Sequence, residues 1–326
     1  MERIKLGKNG TEISKMGLGT WAIGGGPAWN GDLDKSVCVD TIHRAVELGI
    51  NLIDTAPGYN FGKSEKIVGE ALEGLNREDV VVETKFGLVW DWKGTPFNKV
   101  GDRQLYKNLS PDSIKTEIGA SLQRLGTDYV DIYMSHWQSL EPYYTPIAET
   151  MKTLMDLKEQ GVIRAIGAAN VTADDVKEYL AYGELDIIQA KYNLLNRDAE
   201  ADLFELCRSN NIVLQVYSPL EQGLLTGGFK KGYVPTGARA NKKWWQPGNL
   251  DRVVDMLDGW KPLCAKYNCS LSTLSLAWVV KQADFISVLS GCTSPSQVDE
   301  NVGALNIELS QEDADKMRSD ADALGM

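Results

Sequence analysis

Ile50-Asn51-Leu52-Ile53-Asp54-Thr55-Ala56-Pro57-Gly58-Tyr59 is a short apolar run that ends on a carboxylate and breaks at Pro-Gly. The amphipathic segment 64–75 follows it. Val80-Val81-Val82-Glu83-Thr84-Lys85 repeats the arrangement and ends on an ammonium. A brief apolar run bounded by turn residues reads as a strand buried on both faces, and a longer segment with apolar residues three and four apart reads as a helix lying on it.

Working outward, the same unit recurs along the chain. Strands are expected at 16–21, 50–54, 80–85, 129–136, 162–168, 186–190, 212–218 and 285–289. Helices are expected at 34–48, 64–75, 110–125, 146–160, 172–181, 199–210, 271–282 and 295–304, with a last one starting near Ser310. Ser110-Pro111 gives the third helix an N-cap and a proline at its first turn. Eight units without a composition break predict an α/β fold, a single (β/α)8 TIM barrel over residues 1–326. A doubly wound open sheet has the same alternation, but eight units are many for one.

Before the first unit, Ile4-Lys5-Leu6 and Thr11-Glu12-Ile13 flank Lys8-Asn9-Gly10, a hairpin with an Asn-Gly turn that would cap the barrel bottom. Two connections, 86–109 and 220–250, read as long loops after strand C-termini, the active face of a barrel. They carry Trp90, Trp92, Trp244 and Trp245, while Trp21, Trp29 and Trp137 stand near other strand ends. Seven of the nine tryptophans would then ring one face, or pack beneath the long loops.

The 326 residues hold 34 basic and 45 acidic side chains, a net charge of −11. Such a surface argues against nucleic acid and anionic membrane as partners and leaves room for one local basic pocket. No secretory h-region opens the chain and no apolar stretch is long enough to span a membrane. Five cysteines without a CxxC pair suit a reduced, cytoplasmic protein. No cluster of His, Cys, Asp and Glu has metal-binding spacing, so no metal is expected.

Gly17-Leu18-Gly19-Thr20-Trp21-Ala22 fits the dinucleotide fingerprint G-x-G-x-x-A, but Gly24-Gly25-Gly26-Pro27 follows where a helix should open, so that reading fails. Asp54, Lys85 and His136 close successive strands, with Tyr59 just beyond Asp54. Each alone could be a structural ion pair or core hydrogen bond. Together at the mouth they suit proton donation to a carbonyl as hydride arrives. Tyr59 would be the acid, Lys85 would lower its pKa, Asp54 would hold Lys85, and His136 would steer the oxygen.

At these residues the sequence resembles the aldo-keto reductase superfamily. Further carriers are Gly17-Leu18-Gly19-Thr20-Trp21, Ser64-Glu65, Gly69, Asp128-Tyr129-Val130-Asp131, Gly167-Ala168-Ala169-Asn170, Gln189, Tyr217-Ser218-Pro219-Leu220, Gly223-Leu224-Leu225-Thr226-Gly227 and Gln297-Val298-Asp299-Glu300-Asn301. They span nearly the whole chain in family order. The segments from Trp21 to Gly31 and from Gly101 to Tyr106 narrow the resemblance to bacterial members that reduce methylglyoxal with NADH.

The resemblance implies a catalytic tetrad of Asp54, Tyr59, Lys85 and His136. It implies that Asn170 and Gln189 bind the nicotinamide carboxamide, that Tyr217 stacks on the ring, and that Ser218, Leu220 and Gly223 strap the pyrophosphate. Gly291, Thr293 and Gln297 would border the adenosine phosphate, and Glu300 and Asn301 would hold adenine. Trp21, Trp29, Trp90 and Trp137 would line the pocket of a small carbonyl substrate. Where NADP-using relatives place Arg or Lys, the stretch from Gly291 to Gln297 has no cation, so NADH is expected over NADPH. Oxidation of a sugar or polyol by NAD is the alternative activity, and a cofactor-binding regulatory subunit a more distant one.

Overall fold

A computed structural model describes residues 1–7 and 10–325. Eight parallel strands close into a barrel: β1 (Met16–Gly19), β2 (Leu52–Asp54), β3 (Val81–Phe86), β4 (Val130–Ser135), β5 (Ile163–Ala169), β6 (Ile187–Lys191), β7 (Val213–Tyr217) and β8 (Ile286–Gly291). Neighbours in sequence are neighbours in the barrel, and β8 pairs with β1 to close it.

Helices α1 (Lys35–Glu47), α2 (Lys63–Leu72), α3 (Pro111–Leu125), α4 (Ile147–Glu159), α5 (Ala173–Tyr182) and α6 (Leu203–Asn210) each follow one strand. After β7 the chain builds α7 (Pro247–Gly259) and α8 (Lys261–Tyr267) before α9 (Leu271–Lys281); α10 (Pro295–Val302) and α11 (Gln311–Asp322) come after β8. Ser110 caps α3 through Ser113 N–H as its sequence suggests, and Thr172 with Asp175 forms a capping box on α5.

The hairpin pairs Arg3–Leu6 with Thr11–Ser14. Leu6 and Ile13 pack on Leu52, Val81, Ile132, Ile187 and Val213, so the hairpin plugs the N-terminal end of the barrel. Of the expected Lys8-Asn9-Gly10 turn, Lys8 and Asn9 lie outside the described residues.

Residues two apart on a strand share a face. Leu52, Val81, Ile187 and Val213 form the apolar floor, so Asp54, Glu83, Gln189 and Gln215 form the next layer up, and Lys85 stands one step above Glu83. The barrel interior is thus apolar at the bottom and polar toward its mouth.

The connection after β3, expected as a loop, is instead a three-stranded antiparallel sheet of Leu88–Val89, Arg103–Lys107 and Thr95–Val100. The connection after β7 is a chain of short 3-10 turns leading into α7 rather than an open loop. Trp244 and Trp245 are buried beneath it, with Trp244 Nε1 donating to the Leu195 carbonyl at 2.8 Å and Trp245 packed edge-on against Phe229. They belong to the packing of that segment and not to the ring at the mouth. His43, off any site, bonds the Ala71 carbonyl with Nε2 at 2.8 Å.

Candidate active site

The strand ends bring Asp54, Tyr59 and Lys85 together. Lys85 is fully buried; its Nζ pairs with Asp54 Oδ1, donates to the Thr55 carbonyl at 3.1 Å and lies 3.1 Å from the Tyr59 hydroxyl. Burial opposes the Lys85 charge, but Asp54, Tyr59 and Glu83 outweigh it and hold the pKa above the ordinary lysine value. The ammonium stays charged beside the phenol.

For Tyr59 the outcome differs from the sequence expectation. Burial pushes its pKa up, and the Asp54 charge adds to that. Lys85 pulls it down by charge and hydrogen bond without overcoming either. The phenol therefore keeps its proton, which leaves it able to donate rather than already ionised. His136 meets the Tyr59 ring edge-on at 5.7 Å. Burial, then the Lys85 charge, drives its pKa well below the usual value, so the imidazole is neutral, and its buried Nδ1 has no hydrogen-bond partner.

Glu83 is the functional neighbour that the sequence reading passed over. Its side chain is fully buried, accepting from Gln189 Nε2 at 2.9 Å and Gln215 Nε2 at 3.0 Å, with Lys85 Nζ 3.9 Å away. Burial, followed by the Asp54 charge, raises its pKa well above the ordinary carboxyl value. Two carboxyl groups facing one ammonium cannot both ionise cheaply, and Glu83 is the one whose pKa is pushed up. The alternation Val81-Val82-Glu83-Thr84-Lys85 was the available signal, since it points Glu83 and Lys85 the same way.

The residues expected at the nicotinamide form one chain of contacts. Gln189 also donates to Asp54 Oδ1 at 3.2 Å and to Gln215 Oε1 at 2.6 Å. Tyr217 donates its hydroxyl to Asn170 Oδ1 at 2.8 Å, and Asn170 Nδ2 donates to the His136 carbonyl at 2.9 Å. Burial pushes the Tyr217 phenol up to about 12, so it remains a donor.

Beyond Tyr217 the backbone turns left-handed at Ser218, Glu221, Gln222 and Gly223. Three of these four are not glycine, a strained run of the kind kept at ligand clamps. Lys191 and Asn193 pin it through the buried Glu221 at 2.7 and 2.8 Å, and Asn193 also donates to the Ser218 carbonyl at 2.9 Å. Leu220 accepts with its carbonyl from Gly223 N–H at 3.0 Å. Arg239, also unforeseen in the sequence, donates to the Gln222 carbonyl at 2.9 Å. Its guanidinium lies 5.2, 5.3 and 5.1 Å from the ring centres of Trp29, Phe229 and Trp245.

At the end of β8, Gly291 is exposed and leads to Thr293, whose N–H and hydroxyl both donate to Gln297 Oε1 at 2.8 and 3.1 Å. Glu300 accepts from the Ser270 hydroxyl, and the buried Asn301 donates to Ser290 Oγ at 2.6 Å. The nearby Arg44 is taken up by Asp299 and Glu47 at 2.6 and 2.9 Å. No Lys or Arg lies between Gly291 and Gln297.

Four of the expected tryptophans pack against other rings. Trp21 lies 6.3 Å from Tyr59 and meets Trp29 edge-on at 5.0 Å; Trp90 packs on Phe61 at 5.3 Å and Trp137 on Phe97 at 5.3 Å. Trp92 is exposed on the outer sheet. The Trp29 indole N–H is buried without an acceptor, like His136 Nδ1. Unpaired buried polar atoms at the mouth, a left-handed backbone strap and an adjacent Arg fit a polar, phosphate-bearing dinucleotide there. Among the described residues no group of His, Cys, Asp and Glu could hold a metal, and no helix is long and apolar enough to cross a membrane.

A family model described as the aldo/keto reductase family matches residues 15–321. The chain is 66% identical over 324 residues to the NADH-specific methylglyoxal reductase of Escherichia coli, covering 99% of both. It is 35% identical over 305 residues to an aldo-keto reductase of Bacillus subtilis, covering 92% of this chain and 87% of that one. The solved glycerol dehydrogenase of Gluconobacter oxydans superposes with a TM-score of 0.85 at 31% identity, covering 99% of this chain and 94% of that one. The barrel, the cluster at its strand ends and these matches together make the chain a member of the aldo/keto reductase family.

Proposed function

We propose that the protein reduces small reactive carbonyls, methylglyoxal above all, with NADH. The observation that carries this is the buried Lys85 ammonium placed between Asp54 and the Tyr59 hydroxyl. Identity of 66% to an NADH-specific methylglyoxal reductase supports the cofactor and the substrate class.

NADH, when bound, supplies a hydride to the carbonyl carbon. The proton comes from Tyr59: its O–H bond breaks as the carbonyl oxygen takes the proton and the C=O becomes an alcohol. Lys85, 3.1 Å away, stabilises the phenolate left behind, and Asp54 keeps Lys85 charged and in place. His136, neutral, holds the substrate oxygen without competing for the proton. Such proton transfer contributes on the order of 10²–10⁴ in rate.

Asn170 and Gln189 are the carboxamide ligands in this reading, and Tyr217 the stacking ring, held by its bond to Asn170. Ser218, Leu220 and Gly223 wrap the pyrophosphate, with Arg239 as its cation. Gly291, Thr293, Gln297, Glu300 and Asn301 flank the adenosine. A 2′-phosphate would bring about two negative charges to a stretch without a free cation, which favours NADH. Trp21, Trp29, Trp90 and Trp137 enclose the substrate. The cytoplasm suits the five free cysteines.

A second reading, NAD-dependent polyol oxidation, draws on the fold likeness to a glycerol dehydrogenase at 31% identity, and the 66% match outweighs it. The test is steady-state turnover with NADH and methylglyoxal beside NAD and glycerol. Reduction faster than oxidation by an order of magnitude in kcat/KM is the expected result. Turnover only with NAD and the polyol would overturn it.

A further inference from the structure

The antiparallel sheet between β3 and α3 carries an ammonium that the reaction above does not use. Lys107 lies in register with Leu88 on one side and Thr95 on the other. Directly paired residues share a face, so Lys107 is on the Leu88 side. That side faces the site: a Cβ built on Gly58, the residue before Tyr59, would lie 3.5 Å from Leu88 Cδ1 and 3.8 Å from His136 Cε1. Tyr106, on the opposite face, borders an outer cleft with Trp90, Trp92 and Tyr143.

Lys107 is 7% exposed. Its Nζ sits 5.0 Å from the Phe97 ring centre and 4.9 Å from that of Trp137, the residue next to His136. Among the described residues no carboxylate pairs with it and no acceptor takes its N–H groups. Two aromatic faces return about 0.5–2 kcal/mol each, and they do not replace the hydrogen bonds a hydrated ammonium loses. Burial accordingly lowers its pKa. The Arg103 guanidinium, on the same strand, is by contrast paired with Asp91 at 3.3 Å.

We propose that Lys107 is the anion-binding residue of the substrate pocket, recognising a carboxylate or phosphate that a short-chain carbonyl substrate carries away from its reacting carbon. The proposal rests on the carbonyl-reductase reading and extends its substrate class beyond neutral carbonyls. A cation is needed for this because the chain as a whole, at −11, repels anions. The flanking Phe97 and Trp137 rings hold the stem without spending a carboxylate on it. The three N–H donors that the protein leaves free then meet the anion's oxygens.

The test compares matched aldehydes: succinic semialdehyde against butanal for the carboxylate, and glyceraldehyde 3-phosphate against glyceraldehyde for the phosphate. Lys107→Met is expected to raise KM for at least one charged aldehyde tenfold or more at near-constant kcat. Both neutral partners should stay within twofold, and Lys107→Arg should restore most of the loss. A response in one arm alone identifies which anion the site takes. Parallel changes for charged and neutral aldehydes, or none, would overturn the proposal.

If Lys107→Met does not fold, salt titration of the wild type decides. KM for the charged aldehyde should climb between 0.05 and 0.5 M NaCl while that for butanal stays flat, and a flat response for both contradicts the proposal. Absence of any aldehyde turnover would instead sink the reductase reading. Succinate binding, followed by tryptophan fluorescence in wild type and Lys107→Met, then reads the anion site independently: weakening in the variant supports it and equal binding refutes it.

Discussion

Gln189 Nε2 donates to Glu83 Oε1 at 2.9 Å inside the barrel, in the layer that also holds Asp54 and one step below Lys85. Through this bond the floor of the site orients a residue that also touches Asp54. Glu83→Ala would strand the Gln189 and Gln215 amides without that acceptor. An unfolding free energy about 2–4 kcal/mol lower is expected in urea titrations. Glu83→Gln keeps the shape and one acceptor, and should cost about 1 kcal/mol. Equal stability of Glu83→Ala and wild type would show that the amides find other partners.

Among the described residues Lys85 is the one ammonium facing both buried carboxyl groups. Lys85→Met breaks that pair and, in the proposed mechanism, removes the charge that would stabilise a Tyr59 phenolate. A stability loss of about 3–5 kcal/mol is expected, together with a fall in kcat of at least about 10². A variant that keeps its kcat would show that the phenol works without the ammonium.

Glu117 supplies a pH signature. It accepts from Gly87 N–H at 3.1 and 3.0 Å and from Ser113 Oγ at 3.0 Å, and burial pushes its pKa up to about 8. A carboxyl whose folded pKa is raised binds its proton more tightly in the native state. Its contribution is full below the ordinary carboxyl pKa and fades as pH rises toward about 8. Stability should therefore fall across that window, by up to about 1.4 kcal/mol per pH unit from this group. Glu117→Gln should flatten the slope in urea titrations at pH 5, 6, 7 and 8, and an unchanged slope would assign it elsewhere.

In the proposed NADH site Thr293 takes the place of a cation that would meet a 2′-phosphate, and Arg44 is already committed to Asp299 and Glu47. Thr293→Arg should tighten NADPH binding about tenfold or more, or about 1.4 kcal/mol. NADH binding should change little. Fluorescence titration of both nucleotides decides it, and an NADPH Kd that does not move would place the adenosine ribose elsewhere.

Much of this was legible in the residues. Asp54 and Lys85 each end an apolar run, and strand alternation carries both to the mouth. Glu83 was missed because attention to strand ends skips the residue one layer down, although Leu52-Ile53-Asp54 and Val81-Val82-Glu83 share one spacing. Lys107 and Arg239 were hidden for another reason. Each packs against an aromatic ring distant in sequence, Trp137 for Lys107 and Trp29 for Arg239, and the sheet between β3 and α3 has too little apolar alternation to announce itself. The Tyr59 pKa went the other way because sequence shows the ammonium but not the depth of burial that outweighs it.

The most direct test of the central claim is the rate of NADH oxidation with methylglyoxal by wild type and Tyr59→Phe, with NADH affinity measured in parallel. The hydroxyl 3.1 Å from Lys85 is the only atom this substitution removes. The account predicts a kcat lower by about 10²–10⁴ with NADH affinity unchanged. A Tyr59→Phe enzyme that reduces methylglyoxal at the wild-type rate would contradict it.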